Sequence, residues 1–211
     1  AGDAINTGYN NTIMGASAGT SLTTGFGNVI IGRVAAYAST DVDKAVIIGE
    51  QAAYTGNMTS AADGTVSIGA NAGKIATLCP YSNFIGQNAG NGATGSSNSN
   101  FIGYGAGLDA INAYNSNFMG ETAGYQATNA HNSNFLGTDA GNGATDAIFS
   151  NFLGYQSGLS AFYAEYSNFI GENAGFQATN ANNSNFIGRN AGYQATNAYN
   201  SNFIGYEAGN G

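Results

Sequence analysis

Side chains capable of covalent or metal chemistry are few in this sequence, and they are scattered. His131 is the one histidine and Cys79 the one cysteine. A transition-metal site needs several such ligands at close spacing, so neither residue reads as a ligand or an activated nucleophile. His131 stands at a variable position where equivalent segments carry Tyr114, Asn182 or Tyr199, which predicts a surface histidine. Cys79 stands where equivalent segments carry alanine, which predicts a small core residue. Asp109, Glu121, Asp139, Asp146, Glu165 and Glu172 occur singly. The loose group Asp41, Asp43 and Glu50 lacks the acid and glycine spacing of a calcium loop. Glycine-rich matches such as Gly103-Tyr104-Gly105 carry no lysine for phosphate. These residues predict a chain that is not an enzyme and uses no cofactor or metal.

Amide and aromatic chemistry does recur. Asn83, Asn100, Asn117, Asn134, Asn151, Asn168, Asn185 and Asn202 stand 17 residues apart. Amides stacked at a fixed interval can bond to the copies above and below as a ladder. Each is followed by a phenylalanine: Phe84, Phe101, Phe118, Phe135, Phe152, Phe169, Phe186 and Phe203. Tyrosines recur more loosely. Tyr104, Tyr155 and Tyr206 share one position, Tyr125 and Tyr193 another with Phe176, and Tyr114, Tyr163, Tyr166 and Tyr199 lie in a more distant turn. Exposed, these rings could stack on sugars or touch other fibres; buried, they would cap coil ends or pack between chains.

A strict period means one structural unit stacked many times. A glycine closes each Ser-Asn-Phe-Ile block and serves as a marker, at Gly15, Gly32, Gly49, Gly69, Gly86, Gly103, Gly120, Gly137, Gly154, Gly171, Gly188 and Gly205. Every step is 17 residues except the 20 from Gly49 to Gly69, so a surface bulge is expected near 53–64. Short apolar runs bounded by Gly and Asn suit strands of a few residues, while glycine and asparagine interrupt any helical run. The sequence therefore predicts an all-β, parallel β-solenoid (a β-roll) of about 12 coils, 17 residues each, in a single domain over 1–211. Residues 1–69 form divergent coils and 70–211 regular ones. With coils about 4.8 Å apart, the rod would be roughly 55–60 Å long. A longer period of three coils is visible too: Leu108 and Leu159, or Tyr125 and Phe176, stand 51 residues apart.

The residue before the marker is always large and aliphatic, among them Ile85, Ile102, Ile187 and Ile204. Alanine recurs three, seven and ten residues after it, which predicts a narrow interior of one large and up to three small residues per coil. Adjacent strand residues point to opposite faces, so Phe84 and Ile85 cannot both enter it. A strand apolar on both faces is normally buried on both. One column is expected to fill the coil and the other to meet a partner, with the phenylalanine column the greater gain if buried between chains. The predicted partners are copies of the same chain, side by side as a homotrimer, with end-to-end joining into a filament as a further expectation. Packing should change in the first four coils, where Ile13, Ile30, Ile47 and Ser67 take the phenylalanine position.

Composition narrows the function. The net charge is −8 with only four basic residues, which disfavours nucleic acid and anionic membrane surfaces. No stretch approaches the length of a membrane helix. The first residue, Ala1, suggests a processed chain or a piece of a longer fibre. No regular Thr-x-Thr pair recurs on adjacent coils, which disfavours ice binding.

The blocks Asn115-Ser116-Asn117-Phe118-Met119-Gly120 and Asn183-Ser184-Asn185-Phe186-Ile187-Gly188 resemble the head repeats of trimeric autotransporter adhesins, and Val66-Ser67-Ile68-Gly69 is closer still to that form. The pattern is also similar to Asn-rich repeats of bacteriophage tail fibres and bacterial surface fibres. Two departures stand out: the family's repeats are shorter, and its residue before isoleucine is small where this chain has phenylalanine. The resemblance implies a left-handed β-roll, three chains side by side, displayed at the cell surface or on a virion. The expected function is a structural segment of an extracellular fibre, with a receptor- or glycan-binding head as the alternative.

Overall fold

Each repeat sets a triplet rich in aromatic and aliphatic residues between a turn and a glycine, and each triplet forms a strand. The computed structural model describes residues 1–55 and 62–209. Its strands are β1 (Thr12–Met14), β2 (Val29–Ile31), β3 (Val46–Ile48), β4 (Val66–Ile68), β5 (Asn83–Ile85), β6 (Asn100–Ile102), β7 (Asn117–Met119), β8 (Asn134–Leu136), β9 (Asn151–Leu153), β10 (Asn168–Ile170), β11 (Asn185–Ile187) and β12 (Asn202–Ile204). They form one parallel sheet in sequential order, each residue paired with its equivalent in the next coil. A second line of parallel bridges runs from Thr77 through Thr94, Ile111, Thr128, Thr145, Phe162 and Thr179 to Thr196. The chain is thus an all-β parallel solenoid with one coil per repeat. Coils are numbered by their marker glycines, coil 1 at Gly15 and coil 12 at Gly205. Of the segment 53–64 where a bulge is expected, residues 56–61 lie outside the described residues; Ala53 and Ala62, within the same segment, are buried.

Along a regular strand the burial alternates. Ser82, Phe84 and their equivalents point in, while Asn83, Ile85 and theirs point out. Of the two columns, the aromatic one fills the coil and the aliphatic one faces out: Phe84 through Phe186 are fully buried within their own chain, so the gain from burying them is made there and not against a partner. From Phe118 to Phe186 the rings stack with centroids 4.6–4.8 Å apart and planes within 4°. The alanines line the rest of the interior, as their spacing predicts, and Cys79 takes an alanine place among them.

Glycine makes room for the ring. Gly124 has φ +64°, and a Cβ added there would overlap the ring of Phe118 in the same coil. The same holds for Gly141 under Phe135 and Gly175 under Phe169. In coils 2 and 3 the inward residue is the slimmer Ile30 or Ile47, and the glycine position is filled by Ala36 or Ala53. An interior judged only from its alanines looks too narrow for phenylalanine. The missing Cβ, six residues after each ring, supplies the space.

The serine before each asparagine forms a buried ladder. Its hydroxyl donates to the carbonyl of the residue 14 ahead, as from Ser99 to Ala113 (2.7 Å) and Ser133 to Ala147 (2.6 Å). It also accepts from the next serine's backbone N–H, as Ser116 does from Ser133 (3.0 Å). Asn11 and Asn28 play the same part in the first coils. The core divides at coil 4, where Ser67 replaces phenylalanine: one cluster ends with Ala62 and the next begins with Ala72. Ser67 is buried and its hydroxyl has no hydrogen-bond partner. Phe84, next to it, is tilted 36° to Phe101 at 5.6 Å.

Gly124→Ala should cost about 2–4 kcal/mol, from left-handed strain and overpacking together. In Phe118→Ile that cost should fall to the strain alone, because Ile30 with Ala36 already shows the pairing is packable. Equal costs in both backgrounds, measured as a double-mutant cycle in urea, would overturn this account.

Candidate functional site

The outward strand face is an ordered surface that runs through all twelve strands. Two columns run along it side by side. In the first, Asn83 donates to Asn100 (2.5 Å), Asn100 to Asn117 (2.6 Å), Asn117 to Asn134 and Asn134 to Asn151 (2.7 Å each), and the bonding continues to Asn202 at 2.8 Å per step. The amide ladder is therefore formed as the spacing predicts, with each amide between its two ends both donor and acceptor. The second column is Ile, Leu or Met. Ile85, Met119, Ile170 and Ile187 keep 37–40 % of their surface exposed, and Met14 and Ile204 at the ends more. Ile102, Leu136 and Leu153 are half-buried. Between the columns runs a shallow groove of about 420 Å³, bordered by Asn117, Met119, Leu136, Leu153 and Ile170 among others.

No charged side chain borders that groove. The described ion pairs between side chains bridge neighbouring coils, Arg33 with Glu50 and Arg189 with Glu172. Both pairs are about half exposed and so contribute little to stability. Glu50 is thereby separated in role from Asp43, whose carboxylate accepts from the Phe26 N–H (2.9 Å). Among the described residues no three His, Cys, Asp or Glu side chains gather to hold a metal ion. His131 stacks on Tyr114 at 4.4 Å and meets Phe149 edge-on at 6.1 Å. Cys79 is buried, and burial pushes its thiol up to about 11 despite three backbone hydrogen bonds. Tyr104, Tyr155 and Tyr206 are exposed. A hydrogen bond to Glu207, and that carboxylate's charge, hold the Tyr206 phenol above its usual range.

Two features escaped the sequence reading. The serine ladder was signalled by the constant Ser before Asn-Phe. Phe149 and Phe162 escaped because they lie outside the phenylalanine column, and only the fold places them against Tyr166 and Tyr163.

No family model, curated protein or solved structure matches this chain. The likeness to adhesin heads and tail fibres therefore rests on the repeat motif.

Asn134→Ala removes two ladder bonds and should lower stability by about 1–2 kcal/mol, read from the denaturation midpoint. An unchanged midpoint would mean the ladder only decorates the surface. Cys79 gives a pH test. Its thiol titrates near 8.5 when unfolded and near 11 when folded. The folded chain keeps a proton that the unfolded chain releases, so this contribution is full below about pH 8.5 and is lost as pH rises toward 11. A thiol reagent at pH 8 should label Cys79 only upon unfolding; rapid labelling of the folded chain would contradict its burial.

Proposed function

We propose that this chain is a structural segment of an extracellular fibre, at a cell surface or on a virion, in which three copies pack side by side through their outward strand faces. The observation that carries this reading is the unbroken aliphatic column from Met14 to Ile204, one side chain per coil and in register throughout. A long apolar stripe left in water usually marks an interface. Neighbouring copies would bury it in many equal contacts, each small and all aligned, without disturbing the amide ladder beside it. The likeness to trimeric adhesin repeats favours three copies over two. The acidic balance and the scarcity of lysine and arginine fit a partner that is protein rather than nucleic acid.

Sedimentation equilibrium tests this directly. The chain should show three times its 21.3 kDa mass at micromolar concentration. Leu136→Asp with Leu153→Asp should bring it to the single-chain mass while far-ultraviolet dichroism is retained, since both side chains point away from the coil interior. A wild-type chain that sediments as a monomer would overturn the proposal.

A further inference from the structure

From coil 5 to coil 11 the side of the coil that carries the second line of bridges is nearly regular, and its departures concentrate in coils 8 and 9. Three of its columns normally hold threonine, asparagine and asparagine. Thr128 and Thr145 are followed by Phe162, then Thr179 and Thr196. Asn112 donates to Asn129 (3.2 Å) and Asn129 to the Asp146 carboxylate (2.8 Å); Tyr163 comes next, and the ladder resumes with Asn180 to Asn197 (3.1 Å). The third column runs through Asn115 and Asn132, is replaced by Phe149 and Tyr166, and returns at Asn183 and Asn200. All three columns break together in coil 9, each with an aromatic ring, and the third already breaks at Phe149 in coil 8; the isolated exchanges Ile111, Gly95 and Asp146 bring no ring.

These rings are not needed by the fold. They point outward, with 41–55 % of their surface exposed, and other coils close with Thr and Asn in their places. Three of them also carry a cost. Phe149, Tyr163 and Tyr166 have φ of 56°, 54° and 53°, a left-handed conformation that asparagine tolerates and bulky side chains resist. Strain kept at a local break in an otherwise uniform repeat is a mark of function. Coil 4 also carries Leu78 and Tyr81 in these columns, but Tyr81 lies over Gly64 of the coil beneath and has a packing role there.

The rings touch in pairs. Phe149 stacks on Tyr166 at 5.1 Å, and Phe162 meets Tyr163 edge-on at 4.1 Å. Through His131 and Tyr114 the first pair extends as a row of one ring per coil along the rod. Amides and the Asp146 and Glu165 carboxylates flank the patch in sequence and along the columns. The four basic residues, Arg33, Lys44, Lys74 and Arg189, all belong to other coils.

We infer that this patch binds the ring faces of a neutral, extended saccharide. Flat apolar faces with polar edges suit sugar rings: the aromatic surfaces take the C–H face, and the amides and carboxylates at the rim take the hydroxyls. An anionic ligand would find acids and no cation here. A quaternary ammonium ligand wants rings closed around one point, whereas these lie in a row. The inference is independent of the fibre reading, since the strand face and this patch use different columns.

The test compares the full chain with the variant Phe149→Asn, Phe162→Thr, Tyr163→Asn, Tyr166→Asn, which restores the residues other coils use. Both are applied to an array of immobilised neutral oligosaccharides, then titrated with the best-retained one by tyrosine fluorescence, the chain having no tryptophan. The wild type should be retained, and the variant should bind roughly tenfold more weakly or worse. The variant's melting temperature should not fall, because strain is relieved. Three results would each overturn the inference: no retention of the wild type on any neutral sugar, equal retention of both chains, or binding of choline in place of sugars. A variant of lower mass in sedimentation would overturn it too, by assigning the rings to a contact between chains. If the quadruple variant fails to fold, Tyr163→Asn and Tyr166→Asn singly carry the same comparison. The Leu136→Asp, Leu153→Asp chain should still bind, so failure of the fibre reading and failure of this one are distinguishable.

Discussion

Parallel backbone pairing between successive coils fixes an axial step of about 4.8 Å, and every other contact in the molecule has to fit that step. A 17-residue period sets each residue over its equivalent, so each position becomes a column. Only side chains that stack well on themselves at this distance serve. Phenylalanine does, with rings 4.6–4.8 Å apart. So does asparagine, whose amide offers a donor upward and an acceptor downward at 2.5–2.8 Å. Buried serine does so by donating to a carbonyl while accepting from a neighbouring N–H. Charged side chains do not, since like charges would be stacked, which accounts for a composition only 8 % charged.

The same step makes the coils nearly identical and leaves individuality to outward positions. Inside, the inward column of the strand varies by matched exchange, as with Ile30 and Ala36 in place of phenylalanine and glycine. Ser67 is not such an exchange. It interrupts the inward column without a compensating contact, and the core divides there into an aliphatic and an aromatic stretch. Outside, the aliphatic column on the strand face is uniform along the rod, which suits a partner that is itself a rod. The aromatic cluster of coils 8 and 9 is local, which suits a ligand met at one place.

Left-handed backbone in the turns explains the abundance of asparagine. Asn112, Asn129, Asn180 and Asn197 in one column, and Asn115, Asn132, Asn183 and Asn200 in another, all lie at φ between 52° and 58°. The residue type is therefore selected twice, by the turn and by the amide ladder. Phe149, Tyr163 and Tyr166 satisfy neither requirement, which sets them apart from rings such as Tyr104 that stand at unstrained positions.

Much of this fold was legible in the sequence because a period is a statement about translation. The spacing of Gly86, Gly103 and Gly120 determined the coil, its length and the columns, and the chemistry of asparagine determined the ladder. It did not determine which side of the strand faces inward. The alternation of Phe118 and Met119 requires that they part company but is symmetric between inside and outside. The tertiary structure breaks that symmetry through Gly124, which the turn brings beneath the Phe118 ring and whose missing Cβ leaves the space the ring fills. Nor could the sequence join Phe149 to Tyr166 or set Phe162 against Tyr163, because those contacts depend on where the turns aim side chains.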